Sequence, residues 1–144
     1  MGDLNELIRR MDEALDGKDI KAALALCAED AVVEFPGREP IRGRDAIKSF
    51  FQMQFDAARN SERTLLAEAV SGSTAMREWS DTRTMTGPLT MPDGRTIPAT
   101  GKRATHKMVT VVEAEGDLIK SVHFYFDRME VLAQLGLAPT ASAV

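Results

Sequence analysis

Asp81 and Arg83 are separated by one residue within residues 74–85, a run that reads as a strand, so both side chains project from the same face. A guanidinium beside a carboxylate favours the ionised acid. Such a pair has two readings: an acid held beside a ligand, or a structural ion pair that closes the end of a strand. His106 lies in another strand-like run, residues 105–114, and histidine is the side chain most easily tuned for proton transfer near neutral pH. His106, Met108, Thr110 and Val112 alternate there with Lys107, Val109 and Val111. Either set suits burial, so the face of His106 stays open. Asp81 and His106 are therefore the candidate acid–base residues. Cys27 falls with Ile20, Ala23 and Leu24 on the apolar side of a short helix and reads as packing. With two histidines, one cysteine and no carboxylates clustered at ligand spacing, no metal site is expected. The segment GREPIRG lacks the Lys-Ser/Thr end of a phosphate loop. No cofactor is expected either.

The elements that must position these groups follow from periodicity. Residues 116–137, GDLIKSVHFYFDRMEVLAQLGL, read as a turn, a strand, and a short helix that Asp127 caps and Gly136 stops. One face of that strand carries Val122, Phe124 and Phe126; the other carries Ile119, Ser121, His123 and Tyr125. Upstream, residues 3–15 space Leu4, Leu7, Ile8, Met11 and Leu15 as a helix, with Asp3 and Glu6 as a capping box and Gly17 as the stop. Asp19 caps a second short helix. Residues 31–35 form a strand closed by Pro36-Gly37, residues 38–44 a loop, and residues 44–59 a third helix with Ile47, Phe50, Phe51, Gln54 and Phe55 on one stripe. Residues 64–70 and 74–85 read as strands, and residues 87–98, with three prolines and two glycines, as a loop over one end of the sheet. Two helices, a strand, a helix and four successive strands argue for an α+β domain, with helices on one face of a curved antiparallel sheet. Residues 1–138 are expected to form one domain and residues 139–144 a flexible tail.

A chain of 144 residues is long enough for a sizeable core, and 44% apolar with 28% charged residues is ordinary for a soluble globular protein. The net charge of −4 argues against a broad basic field for nucleic acid. Charges run through the opening residues, against a signal peptide, and no apolar run is long enough to span a bilayer, so cytoplasmic residence without membrane contact is expected.

Three segments carry a resemblance: EDAVVEFPGREPIRGRDAI at 29–47, TMTGPL at 84–89 followed by IPATGKR at 97–103, and GDLIKSVHFYFDRMEVLAQLGL at 116–137. Together they resemble the nuclear transport factor 2-like superfamily and, within it, the SnoaL-like group of polyketide and ester cyclases. The resemblance implies a conical α+β barrel. Its curved, mainly antiparallel sheet has three helices of the N-terminal half on the concave face and one deep apolar pocket. It further implies a homodimer through the outer sheet face, where Ile119, His123, Tyr125 and Val109 would lie. The general-base Asp of ketosteroid-isomerase-like members matches Phe35, and their oxyanion-donating Tyr matches Met11. The catalytic Asp of polyketide-cyclase-like members and that of epoxide-hydrolase-like members both match Phe124. In the hydrolase-like pattern ERVD, Trp79 replaces the Arg and Asp81 keeps the Asp; the His of the GTHTG motif is Met85. The expected pocket residues are Phe35, Phe51, Phe55, Trp79, Arg83, Met85, Phe124 and Phe126. Three functions compete: a binder of a small aromatic or polycyclic molecule, a cofactor-independent cyclase, isomerase or hydrolase using Asp81 and His106, and a dimerising domain without a ligand.

Overall fold

Aspartates open three of the helices in the computed structural model, which describes residues 3–91 and 93–137. The Asp3 carboxylate accepts from Asn5 N–H, Asp19 from Ala22 N–H, and Asp127 from Glu130 N–H, each filling an orphan donor of a first turn. These helices are α1 (Leu4–Asp16), α2 (Ile20–Ala25) and α4 (Arg128–Gln134); α3 (Arg44–Ala57) starts from Gly43 without a side-chain cap. Glu6 turns to Arg9, one helical turn on, in an exposed pair.

Eight strands accompany them: β1 (Cys27–Glu34), β2 (Ile41–Arg42), β3 (Glu62–Ser71), β4 (Thr74–Thr84), β5 (Leu89–Thr90), β6 (Thr96–Ile97), β7 (Arg103–Glu115) and β8 (Leu118–Tyr125). Six form one sheet in the order β2-β1-β8-β7-β4-β3, antiparallel except where β1 runs parallel to β8. The architecture is the expected α+β one, a curved, mostly antiparallel sheet with helices against it. Residues 87–98, expected as an irregular loop, contain a small hairpin of β5 on β6, separate from the main sheet.

Burial makes the helix faces legible. Leu7, Ile8 and Met11 of α1 and Ile47, Phe50 and Phe51 of α3 join Val33, Ala75, Val112 and Ile119 of the sheet in one core. A second, smaller cluster joins Met85 and Ala104 to Val131 and Leu135 of α4, with Leu89 and Ile97 of the hairpin beside it. The first cluster fills one end of the barrel, and the second walls the other.

The alternation read along β8 breaks at one point. Val122 lies opposite Val112 and Ser121 opposite Glu113, but Ile119, not Lys120, lies opposite Ala114. Lys120 is thus the extra residue of a β-bulge, and the pleat resumes out of phase beyond it. Pairing with β1 shifts at the same place. Ile119 accordingly points into the core, only 1% exposed, and is no part of an outer face.

Candidate ligand cavity

Strand β4 is long, and its inner face carries Ala75, Arg77, Trp79 and Asp81, all buried, followed by Arg83. Antiparallel pairing with β7 sets Trp79 opposite Met108 and Asp81 opposite His106. Directly opposed residues share a face, so His106 is turned inward with Ala104, Met108, Thr110 and Val112. This settles the face that alternation alone left open.

At the α4 end of the barrel lies a cavity of about 510 Å³. Phe35, Met85, Met108, Phe124, Phe126 and Leu135 give it apolar walls. Phe35 anchors the aromatic part: its ring meets Phe50 at 5.0 Å and Phe126 at 5.1 Å edge-on, and Phe124 at 5.6 Å. The hairpin contributes Leu89, Thr90 and Met91.

Gln54, Arg83 and His106 bring polar groups into these walls. Arg83 Nε donates to Asp81 Oδ2 at 2.9 Å, and its Nη1 donates to Gln54 Oε1 at 3.2 Å. His106 Nδ1 stands 3.8 Å from the same Asp81 oxygen, beyond hydrogen-bond reach, and this buried nitrogen has no partner. Its ring lies 5.1 Å from that of Phe126. Burial pushes the imidazole's pKa down from its ordinary value; Arg83 adds to this, while Asp81 and Glu130 oppose it. A neutral ring carries one donor and one acceptor nitrogen, which fits a proton-accepting or hydrogen-bonding role toward a ligand.

Of the residues singled out from sequence, Phe35, Arg83, Met85, His106, Phe124 and Phe126 meet at this cavity. Asp81 stands behind Arg83 and His106, its side chain 4% exposed, and from outside the lining it holds Arg83 by a hydrogen bond. Three expected pocket residues lie elsewhere. Trp79 packs against the guanidiniums of Arg63 (4.2 Å) and Arg77 (4.5 Å), and its Nε1 donates to Thr110 Oγ1 at 3.0 Å. The reason is length: two residues advance a strand by about 7 Å, which takes Trp79 out of the hollow end and under α1. Phe51 packs in the filled end beside Phe50, next to a separate void of about 40 Å³. Phe55 stacks on Phe51 at 6.2 Å, with Lys18 over its ring at 5.4 Å. On α3 it is Met53, Gln54 and Ala57 that face the cavity. Gln54 was visible in the sequence as the polar residue within an apolar stripe. Arg38 and Arg128, which also line the cavity, gave no such signal, because their partners are distant in sequence.

Cys27 is buried at the start of β1, its Sγ 3.4 Å from the Ala23 carbonyl, and burial pushes its thiol up to about 11, consistent with packing. Among the described residues no group of three His, Cys, Asp or Glu side chains is placed to hold a metal ion. No helix among them is long and apolar enough to cross a membrane.

Comparison with known proteins adds a family and a fold. The family described as SnoaL-like domain matches residues 8–122. None of the curated proteins matches the chain. Among solved structures, a protein assigned as a SnoaL-like polyketide cyclase from Jannaschia sp. CCS1 superposes with a TM-score of 0.82 at 16% identity, covering 95% of this chain and 93% of that one. IdmH of Streptomyces antibioticus, assigned as a polyketide cyclase, gives 0.75 at 21% identity over 94% of this chain and 99% of its own. A protein with a ketosteroid isomerase-like fold from Catenulispora acidiphila DSM 44928, solved with trimethylamine, gives 0.75 at 20% identity over 93% and 94%.

Proposed function

The chain belongs to the SnoaL-like domain family, and from that premise we propose that it binds a small apolar molecule, aromatic or polycyclic, in the cavity beside α4. The observation that carries this reading is the pairing of an aromatic wall around Phe35, Phe124 and Phe126 with the polar edges of Gln54, Arg83 and His106. Mostly apolar concavities of about 300–1,000 Å³ with a few placed polar groups are the usual form of a small-molecule site. The volume here, about 510 Å³, lies within that range. The apolar walls supply affinity by removing surface from water. Arg83 and Gln54 would fix the orientation of a carbonyl or hydroxyl on the ligand.

The test is calorimetric titration with matched bicyclic and tricyclic ketones and hydrocarbons. Binding should show a negative heat-capacity change, with ketones favoured and the preference reduced in Gln54→Ala. Absence of binding by every member of the panel would remove the reading.

A second reading has its own observation, the buried His106 in the cavity lining, its Nδ1 without a hydrogen-bond partner and Asp81 behind it. In this reading the protein is a cofactor-independent cyclase or isomerase. His106 accepts a proton from carbon next to a ligand carbonyl, and Arg83 steadies the negative oxygen that results. The aromatic at Phe124 leaves that strand without the acid of related cyclases. Hydrogen exchange at the ligand's α-carbon in deuterated water, followed by NMR, tests it. Exchange should vanish in His106→Gln, and persistence at the wild-type rate would exclude His106 as the base.

We also propose a cytoplasmic homodimer. Met76, Val111 and His123 oppose one another across the outer sheet face, as do Val109 and Tyr125, and Met76 and Tyr125 are more than half exposed. A purely monomeric species in sedimentation at micromolar concentration, or a dimer unaffected by Met76→Glu, would count against this interface.

A further inference from the structure

The cavity's charged lining is unbalanced. Arg38, Arg83 and Arg128 line it together with the single carboxylate of Glu39. Arg83 is matched by Asp81 behind it. Among the described residues, neither Arg38 nor Arg128 is in an ion pair with any carboxylate, Glu39 included.

Both guanidiniums are nevertheless held in place by packing. Arg38 lies over the ring of Phe50, 5.4 Å from its centroid. The Arg128 side chain lies flat against Gly37, so closely that a Cβ there would meet its Cδ and Nε at 2.8 Å and its Cζ at 2.9 Å. Gly37 also has φ +83, a conformation that glycine adopts without strain. The Pro36-Gly37 turn thus does two things: it seats Arg128, and it leads directly into Arg38 on the next residue. Phe35 and Pro36, just before the turn, line the same cavity. Two guanidinium forks with no acceptor among the described residues therefore stand at the exposed rim of an apolar chamber.

We propose that the ligand is an amphipathic anion: an apolar ring system inside the cavity, with a carboxylate, sulfonate or similar oxyanion held at the rim by Arg38 and Arg128. This rests on the pocket reading above and names the ligand class that reading leaves open. Planar guanidiniums suit this task because they bind oxyanions with paired, charge-assisted hydrogen bonds.

Two fluorescent probes of one skeleton separate the ideas: anilinonaphthalene sulfonate, which carries the anion, and neutral N-phenylnaphthylamine, which does not. Wild-type protein should bind the sulfonate on the order of tenfold more tightly, with an affinity that weakens as salt is added. In Arg38→Gln/Arg128→Gln the ratio of the two affinities should fall toward one. If the double variant fails to fold, Arg38→Gln alone, at an exposed position, should still lower the ratio severalfold. Leu132→Trp, which fills the chamber, should weaken both probes and so distinguish the cavity from the outer sheet face. Equal affinity for the two probes in wild-type protein, with the Leu132→Trp response intact, would overturn the anion proposal while leaving the pocket reading standing. Binding of both probes unaffected by Leu132→Trp would overturn the two together.

Discussion

The inner face of β4 carries two arginines six positions apart, each in a cluster with carboxylates, and the clusters differ in what they leave undone. At the filled end, Arg77 donates from Nη1 and Nη2 to the two oxygens of Asp12, at 2.7 and 2.6 Å, and from Nε to Glu68 at 2.7 Å. Burial alone would weaken the charge on Arg77; Asp12 and Glu68 outweigh it, so its pKa is raised. Trp79 covers the guanidinium, and Arg63 also lies over the indole ring while pairing with Asp12 and Asp16. The void that remains there is about 40 Å³. At the hollow end, Arg83 is bound to Asp81 and Gln54 but 25% of its side chain stays exposed, and His106 Nδ1 has no partner. The same residue types on the same strand thus build a closed brace in one place and an open polar edge on a cavity in the other. What separates them is whether helix α1, with its Asp12, lies over the guanidinium.

Variants at the braced end should show the largest effect. Arg77→Met leaves Glu68 without its cation and Asp12 with only the longer contact to Arg63, and breaking a buried pair from one side costs about 3–5 kcal/mol. The partial exposure of Asp12 and Glu68 places the expected loss at the lower bound, read from urea unfolding. A smaller loss, about 1–2 kcal/mol, is expected for Arg83→Met, because the cavity lets water reach the Asp81 carboxylate once its partner is gone. Equal losses for the two arginines would erase the distinction between brace and open edge.

Trp79→Phe should cost about 1 kcal/mol through the lost hydrogen bond to Thr110 and weaker contact with two guanidiniums. Binding of a neutral aromatic probe should stay as in the wild type; weakened binding in this variant would return Trp79 to the ligand site.

The smallest effect is one of pH. The folded-state pKa of His106 lies below its ordinary 6.5, chiefly through burial. As pH falls, the unfolded chain takes up this proton before the folded one, so stability declines as the pH drops through that ordinary value and is flat with respect to this group above it. His106→Phe should show a shallower decline between about pH 7.5 and about pH 5.5 in paired urea unfolding curves. Identical slopes would show that His106 is not the group responsible.

Much of the architecture was legible because it rests on local chemistry. Asp3, Asp19 and Asp127 announce their helices by type and position, and all three cap as expected. The period of Leu4, Leu7, Ile8 and Met11 marks the buried face of α1, and strand alternation orders Asp81 and Arg83 on one face of β4. The errors share a different origin. Ile119 was placed on the wrong face because a bulge at Lys120 depends on pairing with β7 and leaves no mark in the run of residues itself. Trp79, Phe51 and Phe55 sit on the correct inner faces but outside the cavity, since alternation tells which side a residue faces and not how far along the barrel the hollow begins.

By itself, then, the sequence determined the helices, the long strands, the caps and the α+β class, since each depends on neighbouring residues. Tertiary structure alone decided that His106 faces inward beside Asp81, that Arg77 is braced while Arg83 is left open, and that Arg38 and Arg128 meet at one rim. Those outcomes depend on the register between strands and on which helix covers which part of the sheet, relations between residues far apart in the chain that no local pattern encodes.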